Sequence, residues 1–397
     1  MTVEAASSPS SAWLIACGLS LGPAVSNGLA RFAYGLVLPA MRQDLSWTYA
    51  QAGWINTANA IGYLIGSALV LRFVGTIGPR RLYICGMVVT TIALLASGLT
   101  RDFWLLSLWR IAAGIGGAPV FIAGGAIAST LFRGDASRAS LAIGLYYGGG
   151  GLGMLVTGLS VPLMIEQLGT ASWPETWLLF GAMGAVATPL AVLAARAVPD
   201  SVRGHQAAAK EKLPVIAMLP ALLGYFLFAI GYIVYLTFLV AWMRAQGASA
   251  VLVVATWGLL GAAVIASPFP WKRILASATG GGALALACAG IGVGTLLPLA
   301  LPGAAGLLLS AATFGLSLFI GPTAVTAFGR MNLSEGLWGQ SVALFTTVFA
   351  VGQTLGPVAA GLIADASDGL TSGLLAAGLT LLLAAAVSAM QRPLRKA

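Results

Sequence analysis

Two arginines, Arg31 and Arg110, stand deep inside long apolar stretches of this 397-residue chain. All eleven acids fall at or beyond the ends of such stretches: Glu4, Asp44, Asp102, Asp135, Glu166, Glu175, Asp200, Glu211, Glu335, Asp365 and Asp368. A guanidinium stays protonated in proteins. Placed in hydrocarbon it costs at least ~2.5–3.5 kcal/mol on insertion scales. A fixed positive charge with no fixed negative partner calls for an anion from outside, and arginine binds a carboxylate with two parallel hydrogen bonds. Arg31 lies eight residues before Pro39, and Arg110 eight residues after Asp102. Taking Pro39 and Asp102 as helix ends puts both about 12 Å below one surface. Against a half-thickness of about 15 Å, that is similar depth just outside the midplane. The competing readings are structural. Arg110 could bond carbonyls or polar groups of the first span, or serve gating or proton coupling, and Arg31 could bond neighbouring helices.

Other polar side chains recur at helical spacing. Asn27, Arg31 and Tyr34 share a side of the first span, and Asn56, Asn59 and Tyr63 a side of the second. Tyr225, Phe228, Tyr232 and Tyr235 form a stripe on the seventh, with Thr313 and Ser317 on the tenth and Phe345, Phe349 and Gln353 on the eleventh. The set expected to touch a solute is Arg31, Arg110, Asn27, Tyr34, Asn59, Tyr232, Tyr235 and Gln353. Hydrogen bonding between packed helices is the alternative for each.

These residues need elements that hold them in lipid. The chain is 59% hydrophobic and 8% charged, against roughly 25% charged in a soluble domain. Twelve apolar spans are expected, near 13–39, 51–73, 82–100, 103–131, 139–164, 175–197, 214–242, 250–269, 275–299, 303–328, 338–363 and 370–390. Each is long enough to cross a bilayer as a helix. With both termini in the cytoplasm, fifteen of the twenty Lys and Arg fall on the inner side. Arg42, Arg101 and Arg244 fall on the outer side, leaving Arg31 and Arg110 within the membrane. That bias fits the positive-inside rule and an inner-membrane protein. It also explains the net charge of +9 without nucleic acid. The polar stretch 198–213 reads as a cytoplasmic linker between six-helix bundles at 1–197 and 214–397. A shift of 203 maps Trp54 onto Trp257, Pro119 onto Pro322, Gly153 onto Gly356 and Gly158 onto Gly361, a weak internal repeat.

Twelve helices as six plus six, with a basic central loop, resemble the major facilitator superfamily. Gly75 to Arg81 resembles the family's loop Gly-x-x-x-Asp-Arg-x-Gly-Arg-Arg, keeping Gly78, Arg80 and Arg81 but with Gly75 and Thr76 where the acid and arginine belong. Arg110 to Gly116 matches the pattern Arg-x-x-x-Gly-x-Gly. Arg31-Phe32-Ala33-Tyr34-Gly35 resembles a poorly characterised bacterial branch. The resemblance implies an all-α fold of two pseudo-symmetric bundles, alternating access, and a monomer. It further implies a gating role for Gly78, Arg80 and Arg81, and a cavity lined by helices one, four, seven and ten.

The sequence offers little to other functions. It has no Gly-x-x-x-x-Gly-Lys-[Ser/Thr] loop for ATP. Cys17, Cys85 and Cys288 are scattered, and the one histidine, His205, lies in the linker, so no metal site or cofactor is expected. Gly18 to Gly22 fits a nucleophile-elbow pattern but lies in an apolar helix, and no clustered nucleophile marks an enzyme. Asn332 to Ser334 fits a glycosylation acceptor but is expected inside the cell. A channel would want a short polar filter. The expectation is a secondary or facilitative carrier of a small organic anion, with coupling through a substrate-borne proton or a counter-transported anion. Efflux of uncharged or amphiphilic compounds is the alternative.

Overall fold

The computed structural model describes residues 9–132, 135–198, 212–277, 279–367 and 369–394. Most of the linker, with His205, and the basic or acidic positions Glu4, Arg133, Asp200, Arg203, Lys210, Glu211, Asp368, Arg395 and Lys396 lie outside the described residues.

Regular structure among the described residues is helical throughout. Among the described residues, eleven helices are long and apolar enough to cross a membrane, and a bent pair makes a twelfth. They are α1 (Ser10–Asp44), α2 (Tyr49–Ile77), α3 (Pro79–Ser97), α4 (Phe103–Ala128), α5 (Ala136–Leu168) and α6 (Trp173–Arg196). After the linker come α7 (Leu219–Ala245), α8 (Ala250–Ala266, then Pro268–Ser277), α9 (Gly282–Ala300), α10 (Ala304–Asn332), α11 (Glu335–Ala366) and α12 (Leu370–Ala389).

Local chemistry sets several of these boundaries. Thr48 and Gln51 form a reciprocal capping box that starts α2. Asp102, Asp135 and Ser249 cap α4, α5 and α8 by accepting the backbone N–H three residues on. Gly78 turns α2 into α3 in one residue at φ 85°, where a β-carbon would be strained, and Pro79 opens α3 with no N–H to leave unpaired. The first span does not end at Pro39 as expected. Its helix continues through that proline to Asp44. The span from 250 is also shorter than expected and bends by 41° at Ser267–Pro268. α10 breaks at Phe319, three residues before Pro322, which has no N–H to bond Leu318.

The two sets of six helices meet along three contacts: α2 with α11, α5 with α8, and the later half of α1 with α7. Backbones come very close there. A β-carbon on Gly35 would lie 2.0 Å from the Leu236 carbonyl oxygen, and one on Gly151 or Gly261 would lie 2.8 Å from the other's carbonyl. Only a missing side chain permits such crossings. The repeat-related Gly158 and Gly361 each lie on one of these contacts, against Trp257 and the Tyr49 carbonyl.

Call the end carrying the Gly78 turn and Val198 the linker end. At the far end, the Asp365 carboxylate on α11 accepts the backbone N–H groups of Tyr49 and Ala50 at 2.9 and 2.8 Å, clasping the start of α2. Thr57 Oγ1 donates to the Thr354 carbonyl at 2.9 Å, and Asn56 Nδ2 donates to Thr237 Oγ1. Near the middle of the spans the halves also touch through aromatic rings: Phe319 lies 6.3 Å from both Phe121 and Phe32.

Candidate functional site

Arg31 is carried on an unusual piece of helix. Pro23 removes one backbone donor, and from Ala24 to Phe32 the turns are wound wide, with Ala33 N–H bonding back five residues to Gly28 at 3.0 Å. Such π segments in an α-helix favour functional positions. All nine residues of this one are buried, Asn27 and Arg31 included.

The arginine reaches across the contact between the halves. Its Nη2 donates to the Tyr232 hydroxyl on α7 at 3.2 Å and to Gln353 Oε1 on α11. The Tyr232 hydroxyl donates in turn to Gln353 Oε1 at 3.2 Å. Tyr63 lies flat under the guanidinium, 4.9 Å from ring centre to Cζ. Arg31 is 5% exposed and Gln353 0%. Two donors in this cluster, Arg31 Nε and Gln353 Nε2, have no hydrogen-bond partner. Among the described residues, the only side-chain ion pairs are Arg101 with Asp44 and Arg138 with Asp135, both away from this cluster.

Arg110 is enclosed differently. Its guanidinium lies 4.8 Å from the Trp177 ring and 5.6 Å from the Tyr34 ring, and none of its three guanidinium nitrogens has a hydrogen-bond partner. Both rings come from the first six helices. The arginines therefore do not converge on one spot at equal depth. Arg101 and Asp44 pair at 2.6 Å, which sets the ends of α1 and α4 at one level. Arg31 is thirteen residues from Asp44 and Arg110 eight from Asp102, so Arg31 lies about 7 Å deeper. The earlier depth rested on Pro39 as a helix end, which it is not.

The remaining expected residues divide. Tyr232 and Gln353 join Arg31. Tyr34 turns its hydroxyl to the Ala52 carbonyl at 2.6 Å and gives its face to Arg110. Asn59 donates to the Arg110 carbonyl at 3.1 Å, a bond between helices. Tyr235 bonds Ser310 at 2.6 Å and stacks on Phe314 at 4.0 Å, away from the stripe it was expected to share. Asn27 faces Gly150 on α5. At the turn after α2, Arg80 donates to the Val198 carbonyl at the end of α6, and Arg81 is exposed.

The rest of the stripe packs as one body. Tyr225, Phe228 and Tyr232 on α7 stack in sequence at 5.5 and 5.2 Å, and Phe349 lies 5.2 to 6.1 Å from all three. Phe349 is one turn from Gln353 on α11, so the column runs from Arg31 toward the linker end. Phe349, Phe319, Phe121 and Tyr147 are only half-buried. Three residues escaped sequence reasoning: Trp177, Asp365 and Phe319. The spacing of Trp173 and Trp177 marks one face of α6, but nothing in it points to an arginine on α4.

Twelve helices, two sets of six, and a buried polar cluster between them are the architecture of a major facilitator superfamily transporter, which works by alternating access. The chain belongs to the family described as "Uncharacterised MFS-type transporter YbfB", whose profile matches residues 23–389. It is similar to mouse monocarboxylate transporter 11, at 30% identity over 388 residues, covering 89% of this chain and 81% of that one. A shorter match is to the uncharacterized transporter YebQ of Escherichia coli, 37% over 84 residues, 21% of this chain and 18% of that one. Among solved structures, a D-xylose–proton symporter superposes with a TM-score of 0.75 at 16% identity, covering 97% of this chain and 98% of that one. A bacterial homologue of the lysosomal transporter Spinster, inward-facing, gives 0.68 at 18%, with 96% and 97% covered. These confirm the expected fold.

Proposed function

We infer that this protein is a secondary transporter of a small organic anion, a carboxylate, held at Arg31. The observation that carries the reading is the setting of that guanidinium. It is buried between the two halves, and its hydrogen-bond partners there are neutral. A charge so placed is costly unless a counter-charge arrives, and a carboxylate supplies both charge and acceptors. Similarity to a protein named a monocarboxylate transporter supports the same direction. Arg110 is assigned a structural role, its charge offset by ring faces.

In this reading residues 1–197 and 214–397 rock against each other, with the linker and both termini in the cytoplasm of a bacterial cell, the protein acting as a monomer in the inner membrane. The far-end clasp closes one side, and the rings of Phe319, Phe121 and Phe32 pack the halves together beside Arg31. With no carboxylate or histidine in the Arg31 cluster among the described residues, a substrate-borne proton or an exchanged anion provides coupling.

Uptake of labelled small carboxylates into proteoliposomes tests this. Arg31→Ala and Arg31→Lys abolish uptake while the protein remains folded; unchanged transport in both variants ends the reading. The aromatic column favours a second reading, transport of an uncharged or amphiphilic compound. In that case hydrophobic cations or neutral amphiphiles bind, and do so independently of Arg31.

A further inference from the structure

We propose that the ligand is a monocarboxylate with an apolar, ring-sized tail, its head taking the place that the Gln353 amide oxygen now fills. The proposal rests on the anion reading above and adds the shape and charge of the ligand.

The head group follows from the donors. Gln353 Oε1 accepts from Arg31 Nη2 and from the Tyr232 hydroxyl, as one carboxylate oxygen would. Arg31 Nε and Gln353 Nε2 are both buried donors with no acceptor. Leaving such donors unpaired is costly. If the amide swings aside and turns its Nε2 inward, the four donors surround one site: Arg31 Nε and Nη2, the Tyr232 hydroxyl and Gln353 Nε2. A carboxylate accepts about four hydrogen bonds and donates none, so it satisfies the whole set, whereas an amide or alcohol brings a donor into a cluster of donors.

The charge follows from Arg110. Its guanidinium faces Trp177 and Tyr34 within the first six helices and takes no part in the bonds among Arg31, Tyr232 and Gln353, so a second carboxylate on the ligand finds no donor fork of its own there. The tail follows from the aromatic column. Tyr232 and Gln353 hold the head, and one turn away on each helix lie Phe228 and Phe349, with Tyr225 beyond. This wall offers ring faces and no hydrogen-bond donor below Tyr232 except the Tyr225 hydroxyl. Two donors of the head site come from the first half and two from the second, so the ligand itself joins the halves.

The test is binding to the purified full chain in lipid nanodiscs, with four probes: phenylacetate, its neutral analogue phenylacetamide, acetate and succinate. Phenylacetate is expected to bind at least about tenfold more tightly than any of the other three. Gln353→Glu places a resident carboxylate on Arg31. It is expected to weaken phenylacetate binding by about tenfold or more while the melting temperature holds or rises. Phe349→Ala is expected to weaken phenylacetate and leave acetate binding unchanged. Succinate or acetate binding as tightly as phenylacetate, with dependence on Arg31, overturns the tail and monoanion assignment and leaves the anion reading standing. Phenylacetamide binding as well as phenylacetate, or no binding of any probe, overturns both. Full phenylacetate binding by a folded Gln353→Glu protein overturns the head site alone.

Discussion

Arg31 and Arg110 are the same residue type in the same membrane, yet their surroundings solve different problems. Arg110 is held by the faces of Trp177 and Tyr34. A desolvated cation over a ring gains up to about 2 kcal/mol, so two rings match the ~2.5–3.5 kcal/mol cost of inserting the charge. That charge is settled within one half of the molecule. Arg31 has one ring, Tyr63, and otherwise neutral hydrogen-bond partners supplied by the opposite half. Its neutralisation is incomplete, and its bonds break when the halves separate. Burial alone does not mark a functional charge; the location of its partners relative to the moving seam does.

The sharpest way to break this contrast is at Arg31 itself. Arg31→Ala should abolish carboxylate uptake, a loss of at least about a hundredfold in initial rates in proteoliposomes, since truncating a buried charge that pairs with a ligand costs about 2–5 kcal/mol. Trp177→Ala comes next. It should destabilise the fold by about 3–5 kcal/mol through the cavity and the uncovered Arg110, seen as a lower melting temperature, with ligand affinity retained. Arg110→Leu should leave both melting temperature and affinity within about 1 kcal/mol of the parent, because the charge and its ring contacts disappear together. A large loss of affinity there would return Arg110 to the binding site. The smallest effect belongs to Asn59→Ala, at most about 1 kcal/mol of stability, since its amide bonds a helix carbonyl.

Much of this was legible in the amino-acid chain. The spans could be read because lipid leaves few alternatives for a long apolar run, and Arg31 and Arg110 stood out against that background. Tyr232 and Gln353 were legible only as members of helical faces. Their meeting with Arg31 depends on separations of 201 and 322 residues, which no local periodicity encodes. Tyr235 shows the limit: three residues beyond Tyr232, it bonds Ser310 and Phe314 inside its own half. Pro39 shows another, since a proline inside a membrane helix reads as an end although the helix continues to Asp44.

The far-end clasp has a consequence for how that side parts. Asp365 satisfies two main-chain donors at the first turn of α2, and those donors have no other protein acceptor once α11 moves away. The clasp is exposed, so water stands ready to take over both donors as the carboxylate departs. The crack therefore spreads from the aqueous face inward, and the deeper Asn56 and Thr57 bonds let go last.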